Sequence, residues 1–332
     1  MIKHKKIICL LNLLFAYLVN IQSLTAQADA GPDKTTCNGT PVNIGPTAAA
    51  ADNCYHWEPA TGLNNPDIAN PTATATVTTT YTLTVTGKDF SFKANDNMVL
   101  TVLPAADCCP ANAAIAPTPN PTTNNAAASN DCLPQQPILT WDVCFDVTNQ
   151  LWYARVSKLE CKGQINIKPW PSQPATMVVP NTANPVNGGN INNTVGSSNR
   201  WSYAISDMQD YDTPGGGAGP DWHSTAASSA HENFHWNTDW MTTCIGAKWP
   251  AAETAIEAFT SNATTKAAAK TAIEPQVNTR FGTFKTDLAT EWNTNIAPKD
   301  SPGAGGGAYA TGSGVLAGLI NAVQAYRVLK GW

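Results

Sequence analysis

Two histidines and a glutamate stand together in the stretch SSAHENFHWNTDW, where His231, Glu232 and His235 have the spacing H-E-x-x-H. Residues four apart lie on the same face of a helix, so the two imidazoles can bind one metal ion. Zinc held by two histidines and a carboxylate keeps one position open and lowers the pKa of its water, and a nearby glutamate can then take a proton during attack on a carbonyl. The spacing therefore predicts a zinc centre with Glu232 as general base.

Three of the five histidines of the chain fall in one short stretch, His223, His231 and His235. His223 precedes the motif on a predicted loop, from which its side chain either folds back as an oxyanion stabiliser or remains an ordinary loop histidine. The competing interpretation of the motif is a solvated helix with two surface histidines and an ion pair, which needs no metal. The clustering of the histidines favours the metal site.

The elements that must position the motif are predicted from the apolar pattern. The segments ILTWDVCFDV and LWYARVSKLEC predict a β-hairpin, in which a bond between Cys144 and Cys161 would close the open end. The segment RWSYAIS, residues 200–206, alternates large apolar residues with small or polar ones and predicts one more strand. This strand would precede the helix that carries the motif.

Helical patterns follow the glycine-rich loop TPGGGAGPD and continue to the last residues. Pro250 can begin a helix that runs through Phe259, and Glu274-Pro275 is predicted to interrupt the next one. An apolar stripe predicts a final amphipathic helix. Its members are Val315, Leu316, Leu319, Ile320 and Val323. Strands followed by helices predict an α+β domain over residues 137–332.

With its strand before a motif helix and the residues HENFH, this domain resembles the zincin superfamily of metallopeptidases. Met241 stands where metzincins have their third histidine, so the resemblance excludes that class. It implies instead a carboxylate ligand, as in glutamate zincins, from Glu257 or Glu253. Glu257 is favoured because small and apolar neighbours suit burial, whereas Glu253 in the first helical turn suits the helix dipole. Asp239, one turn after His235, is predicted to orient a histidine or, as a second option, to bind the metal.

Two further features have candidate roles. Tyr309, in GGGAYATG, can donate a hydrogen bond to the transition state from a loop, although an ordinary loop tyrosine also fits. The carboxylates of Asp207, Asp210 and Asp212 stand before glycines and offer the oxygen ligands that Ca²⁺ prefers. The stretch lacks the EF-hand pattern, and a polar turn is the alternative.

Residues 29–103 read as short strands separated by turns, and residues 80–86 alternate strictly between threonine and a large apolar residue. The stretch YHWEPATGLNNPDIANPTATATVTTTYTLTVTG resembles the PKD/immunoglobulin-like modules of secreted bacterial proteins. The resemblance implies an all-β sandwich that presents the rest of the chain. GKDFSF stands where such modules usually have a cysteine, so Cys37–Cys54 becomes the preferred pairing.

The remaining segments indicate export. Residues 1–28 have a basic start, an apolar run and small residues, as in a signal peptide, and no later stretch is apolar enough to span a membrane. Residues 104–136 are rich in Pro, Ala, Asn and Thr and predict an extended linker whose ends are held by Cys108, Cys109 and Cys132. The cysteines after residue 28 form an even set, which predicts disulfides and a secreted or periplasmic location.

The sequence thus predicts a multidomain protein with an N-terminal immunoglobulin-like sandwich and a C-terminal α+β zincin-like domain. The predicted function is zinc-dependent hydrolysis of peptides or proteins, with cell-surface or matrix contact through the sandwich. Two alternatives remain: a non-catalytic adhesion or glycan-binding protein that uses the tryptophans near the motif, or a zinc amidase acting on cell-wall peptides. With 24 acidic and 19 basic residues and no basic stripe, nucleic-acid binding is not expected.

Overall fold

The structure is a computed structural model that describes residues 28–47, 53–87, 93–111, 113–168, 200–212, 225–303 and 307–331. The predicted signal peptide lies outside the described residues, apart from Ala28. The chain forms two compact units. The first comprises Met1–Asn112, Val143–Tyr153 and Thr260–Lys270. The second comprises Ala113–Asp142, Ala154–Phe259 and Thr271–Trp332.

The first unit contains a β-sandwich. Its larger sheet has the strand order β1-β6-β5-β3, and its smaller sheet pairs β2 with β4. The six strands are β1 (Lys34–Cys37), β2 (Val42–Asn43), β3 (Asn53–Glu58), β4 (Thr72–Ala73), β5 (Thr79–Gly87) and β6 (Lys93–Leu103). Side chains from both sheets, among them those of Ala73 and Leu100, belong to one buried cluster, so the predicted N-terminal sandwich is confirmed.

The core of this sandwich follows the period of two that the sequence predicts. Tyr81, Leu83 and Val85 of β5 are buried, while the threonines between them are partly exposed. Trp57 of β3 is fully buried and donates its indole N–H to the carbonyl oxygen of Ile68. Its neighbour His56 is exposed and lies 2.6 Å from a carboxylate oxygen of Asp67.

The disulfides confirm the predicted use of cysteine but differ from the predicted pairings. Cys37 is bonded to Cys108, and Cys109 is bonded to Cys144. Cys54 is a free, exposed cysteine, so the predicted Cys37–Cys54 bond is wrong. Among the described residues, Cys132, Cys161 and Cys244 are free and buried, so the predicted Cys144–Cys161 bond is also wrong. Disulfides persist in oxidising compartments, so the two bonds fit a location outside the cytosol.

A second sheet is organised around one long strand. This strand, β10 (Leu151–Asn166), pairs with β9 (Ile138–Asp146), which confirms the predicted hairpin. It also pairs with β7 (Thr118–Asn124), β8 (Asp131–Pro134) and β11 (Thr260–Ser261). Because β7 and β8 fall within residues 104–136, the segment predicted as an extended linker contributes two strands to this sheet.

The predicted strand over residues 200–206 is wrong, because this segment is helical. Helix α1 spans Arg200–Gln209 and is followed by a 3-10 turn, Asp210–Asp212. Its buried residues Ile205 and Met208 are three apart, and they pack with Leu316 of the final helix. Met208 lies outside the alternating stretch 200–206. The helical spacing of the buried residues is therefore not visible from that stretch alone.

The motif lies on a long helical segment. Helix α2 (Thr225–Phe234) continues as a π-helix (His235–Gly246) and then as α3 (Ala247–Glu257). The prediction that Pro250 begins a helix is therefore wrong, because it lies inside α3. Trp236, directly after the motif, lies against Gly163 of β10, where a Cβ atom would collide with the indole ring. This close contact holds the π-helix against the second sheet.

Two more helices follow along the chain. Helix α4 (Lys266–Thr290) passes through Pro275 without a break, contrary to the prediction. Burial of residues such as Ile273 and Val277 on the same face offsets the ~3 kcal/mol that an interior proline costs. A second π-helix (Glu291–Ile296) and a 3-10 turn (Ala297–Lys299) follow.

The last helix confirms the predicted amphipathic stripe. Helix α5 spans Gly307–Lys330. It buries Leu316 and Val323, and the other members of the stripe pack beside them while partly exposed. Within the described residues, no helix combines the length and the apolar character that crossing a membrane requires.

Candidate metal centre

The H-E-x-x-H residues are buried on one face of the helical segment. His231 and Glu232 lie in the last turn of α2, and His235 begins the π-helix. Their exposed fractions are 7%, 5% and 8%. Charged side chains are rarely buried to this extent unless they are paired or bind a metal. The burial therefore excludes the alternative of two solvated surface histidines.

Asp300 meets the two histidines and completes a three-atom cluster. Its Oδ2 lies 3.2 Å from Nε2 of His231 and 3.1 Å from Nε2 of His235. The two Nε2 atoms are 3.3 Å apart. A tetrahedral zinc ion with ligands at about 2.0–2.1 Å would separate them by about 3.3 Å, so the observed triangle has the size that zinc requires. Among the described residues, His231, His235 and Asp300 form the one such group of possible metal ligands.

The other ring nitrogen of each histidine has its own partner. Nδ1 of His235 lies 2.8 Å from Oδ2 of Asp239, and Nδ1 of His231 lies 3.1 Å from the hydroxyl of Tyr211. When Nδ1–H donates to these oxygens, the lone pair of each Nε2 points toward Asp300. Three electron-rich atoms then face one another, and this arrangement favours a cation at its centre.

The pKa shifts in the metal-free protein have the same origin. Burial alone would lower the pKa of His235, but its hydrogen bonds to Asp239 and Asp300 and the nearby carboxylates raise it to about 9. Burial would raise the pKa of Asp300, yet the hydrogen bonds and charges of the two histidines hold it well below its usual range. Without metal, a proton on His235 thus supplies the positive charge that this cluster needs.

Glu232 lies beside the cluster. Its Oε1 is 3.9 Å from Nε2 of His231. Burial raises the pKa of Glu232, and the positive charges of His231 and His235 act against that rise. A carboxylate with a raised pKa is a better proton acceptor near neutral pH.

These groups open into a cavity of about 360 Å³. It is lined by the motif residues and Asp300 together with side chains from β8, the 3-10 turn after α1, and α5. Tyr309 is one of these side chains, and its ring lies 4.6 Å from that of His231, centroid to centroid. Cys132 is another, and burial together with nearby carboxylates raises the pKa of its thiol to about 12, so the thiol stays uncharged.

The two glutamates predicted as third ligands make other contacts. Glu257 pairs with Arg155 at 2.9 Å and also accepts a hydrogen bond from the backbone N–H of Val156. Glu253 is buried and accepts a hydrogen bond from the backbone N–H of Ile115. Both carboxylates therefore tie α3 to neighbouring chain segments, and neither belongs to the ligand group.

Sequence reasoning missed Asp300 as a possible ligand. It directly follows the 3-10 turn Ala297–Lys299, in a segment with neither an apolar period nor a ligand motif. Asp239 lies where the sequence places an orienting group, next to His235. Nothing near Tyr211 in the sequence indicates a role at the metal site, because the ionisable residues beside it are the aspartates of the predicted calcium site.

The structure gives no functional role to several other residues predicted from the sequence. His223 and the glycine-rich loop lie outside the described residues, as do the side chains of Asp207 and Asp212, so no calcium site is described there. The tryptophans beside the motif are mostly core residues. Trp236, Trp240 and Trp249 are each at most 2% exposed, which removes them as a glycan-binding face.

Comparisons with known proteins do not assign a function. No protein-family model and no curated protein matches the chain. Solved structures with some similarity include a chimeric titin Z1Z2 carrying a decorin peptide (10% identity, 42% of this chain, 94% of that chain, TM-score 0.21). Another is the Ig1-2 module of the Drosophila receptor protein tyrosine phosphatase DLAR (8% identity, 41% of this chain, 96% of that chain, TM-score 0.19). A third is the insect immune protein hemolin (11% identity, 42% of this chain, 45% of that chain, TM-score 0.19). At these TM-scores the likenesses carry no argument about fold or activity.

Proposed function

We propose that this chain is an exported, zinc-dependent hydrolase of peptide bonds, in which His231, His235 and Asp300 hold the metal and Glu232 is the general base. One observation carries the proposal. Three ligand atoms 3.1–3.3 Å apart lie next to a buried glutamate at the wall of a cavity.

The donor set fits zinc better than it fits calcium or magnesium. Two imidazole nitrogens and one carboxylate oxygen are the three protein ligands of many catalytic zinc sites, whereas Ca²⁺ and Mg²⁺ prefer oxygen ligands alone. When bound here, zinc would lower the pKa of a water molecule and polarise the carbonyl of a substrate. Relative to the zincin-like prediction, the proposed third ligand changes from Glu257 or Glu253 to Asp300.

The protein's own groups would move the protons. The carboxylate of Glu232 takes a proton from the attacking water and then delivers it to the leaving amine nitrogen, as its raised pKa permits. Asp239 and Tyr211 keep the histidine rings oriented through Nδ1. The hydroxyl of Tyr309 is the candidate donor to the negative charge that develops on the carbonyl oxygen.

Strand β8 offers the place for an extended peptide. It pairs with β10 alone among the described strands, and its residues Asp131 and Cys132 line the cavity. A peptide can therefore add to its other edge through backbone hydrogen bonds. Strand β7 carries Pro119 and Pro121 in its first half, which lack the N–H groups needed for such pairing, whereas the one proline of β8, Pro134, is its last residue. The segment 200–206, predicted as a strand, is helical and offers no such edge.

The N-terminal sandwich suits a role in contact with a cell surface or matrix, and the location would be secreted or periplasmic after removal of the predicted signal peptide. Hydrolysis of cell-wall peptides by the same centre is the nearest alternative, since the chemistry is shared. The alternative of a purely adhesive protein predicts no stoichiometric metal.

The test combines metal analysis with two variants of the full chain. Purified protein should contain one zinc ion, the double variant His231→Ala/His235→Ala should contain none, and Glu232→Gln should retain zinc. On a mixture of fluorogenic peptides, Glu232→Gln should lose about 10²–10⁴-fold in rate. Cross-linked cell-wall peptides, assayed in parallel, identify the amidase alternative. Equal hydrolysis by wild type and Glu232→Gln, both loaded with zinc, would falsify the proposed mechanism.

A further inference from the structure

His231 and His235 are supported by different chemical groups. His235 has the carboxylate of Asp239, on its own helical segment, as partner for Nδ1. The partner of His231 is the neutral hydroxyl of Tyr211, from the 3-10 turn Asp210–Asp212. Since metal binding through Nε2 requires the proton to be on Nδ1, the phenol oxygen of Tyr211 is placed to accept that proton's hydrogen bond.

The position of Tyr211 depends on a glycine of the final helix. A Cβ atom added to Gly312 of α5 would lie 2.8 Å from both Cε1 and the hydroxyl oxygen of Tyr211 and 3.0 Å from its Cζ. These separations are shorter than van der Waals contacts allow, so any side chain at residue 312 must displace the phenol ring. On the same helix, a Cβ atom at Gly314 or Gly318 would meet nothing within 4 Å.

We propose that Gly312 and Tyr211 act together as positioning residues for His231. The absence of a side chain at Gly312 leaves room for the phenol ring, and the hydroxyl of Tyr211 holds the imidazole of His231 in the orientation and tautomer that metal binding needs. This inference rests on the proposed metal centre and adds a residue of α5 that touches neither the metal nor the substrate. Tyr309, also on α5, packs on the same rings at 5.4 Å from Tyr211 and 4.6 Å from His231, so α5 supports the site at two points.

The expected effect is a selective loss of metal affinity. Partners of ligating histidines typically contribute a factor of 10–100 to metal affinity. Tyr211→Phe removes the hydroxyl and keeps the ring, and Gly312→Ala displaces the ring, so each variant should bind zinc about 10–100-fold more weakly. Because both changes break the same hydrogen bond, the variant Tyr211→Phe/Gly312→Ala should lose no more than the larger single loss. Gly314→Ala is the matched control and should bind zinc like wild type.

The experiment measures zinc affinity by competition with a chromophoric chelator, and the visible absorption spectrum of the Co²⁺-loaded protein reports the ligand geometry. Tyr211→Phe and Gly312→Ala should both change the spectrum, and Gly314→Ala should not. Should Gly312→Ala fail to fold, Tyr211→Phe still decides whether the hydroxyl matters. Wild-type affinity in Tyr211→Phe, or strictly additive losses in the double variant, would overturn the inference while the metal centre stands. If wild type binds no more zinc than His231→Ala/His235→Ala, both the centre and the inference are overturned.

Discussion

Replacing Asp239 with alanine should reduce the stabilisation that zinc gives to the folded protein. Asp239 accepts the hydrogen bond from Nδ1 of His235 at 2.8 Å, and its side chain is 18% exposed, so water replaces it poorly. Without this acceptor, the imidazole of His235 can rotate, and its Nε2 lone pair is less often directed at the metal. Loss of such a partner lowers metal affinity about 10–100-fold.

The size of the effect follows from linkage between binding and folding. A ligand that binds the folded state alone, at 100 times its dissociation constant, stabilises that state by about 2.7 kcal/mol. At the same zinc concentration, a 10-fold weaker site gives about 1.4 kcal/mol and a 100-fold weaker site about 0.4 kcal/mol. The stabilisation that zinc gives, called here the zinc increment, should therefore be about 1.3–2.3 kcal/mol smaller in Asp239→Ala than in wild type.

The assay is urea denaturation of each variant with chelator and with buffered zinc. Taking the difference within one variant removes any effect of the substitution on the metal-free protein. Asp287→Ala removes an exposed carboxylate of α4 and is the matched control, with the full increment expected. An increment in Asp239→Ala that equals that of wild type would refute the role given to this hydrogen bond.

Two further predictions concern charge. Glu257→Ala should retain zinc and unfold more easily by roughly 1–3 kcal/mol, because it removes the ion pair with Arg155 and the acceptor of the Val156 N–H. Loss of zinc from the refolded variant would restore Glu257 as a ligand. The metal-free protein should lose stability as the pH rises from about 6.5 to about 9, because the folded-state pKa of His235 is above its unfolded value, so folding binds a proton in that range. Urea denaturation in chelator at pH 6 and pH 9 measures this, and His235→Ala should show a smaller difference; equal pH dependence in both proteins contradicts the assignment.

The sequence by itself determined the features that depend on neighbours along the chain. His231 and His235 share a helical face because they are four residues apart, and Glu232 necessarily accompanies them. The alternation in β5 likewise places its large residues in the sandwich core. In each case the local geometry of one element is sufficient. Local pattern is not sufficient for the stretch 200–206. Its alternation predicts a strand, but the segment forms a helix in which Ile205 and Met208 are buried against α5.

The tertiary structure alone decided the partners that come from distant parts of the sequence. Asp300 is 69 residues from His231, and only folding brings its carboxylate to the two imidazoles. Glu257, favoured as the ligand because its neighbours suit burial, is only partly buried and pairs with Arg155, whereas Glu253 is the more buried of the two. The disulfides follow the same rule, because which cysteines bond depends on which chain segments the fold brings together. Spacing in the sequence specifies the chemistry of single elements, whereas the third ligand and the supporting hydrogen bonds depend on how those elements pack.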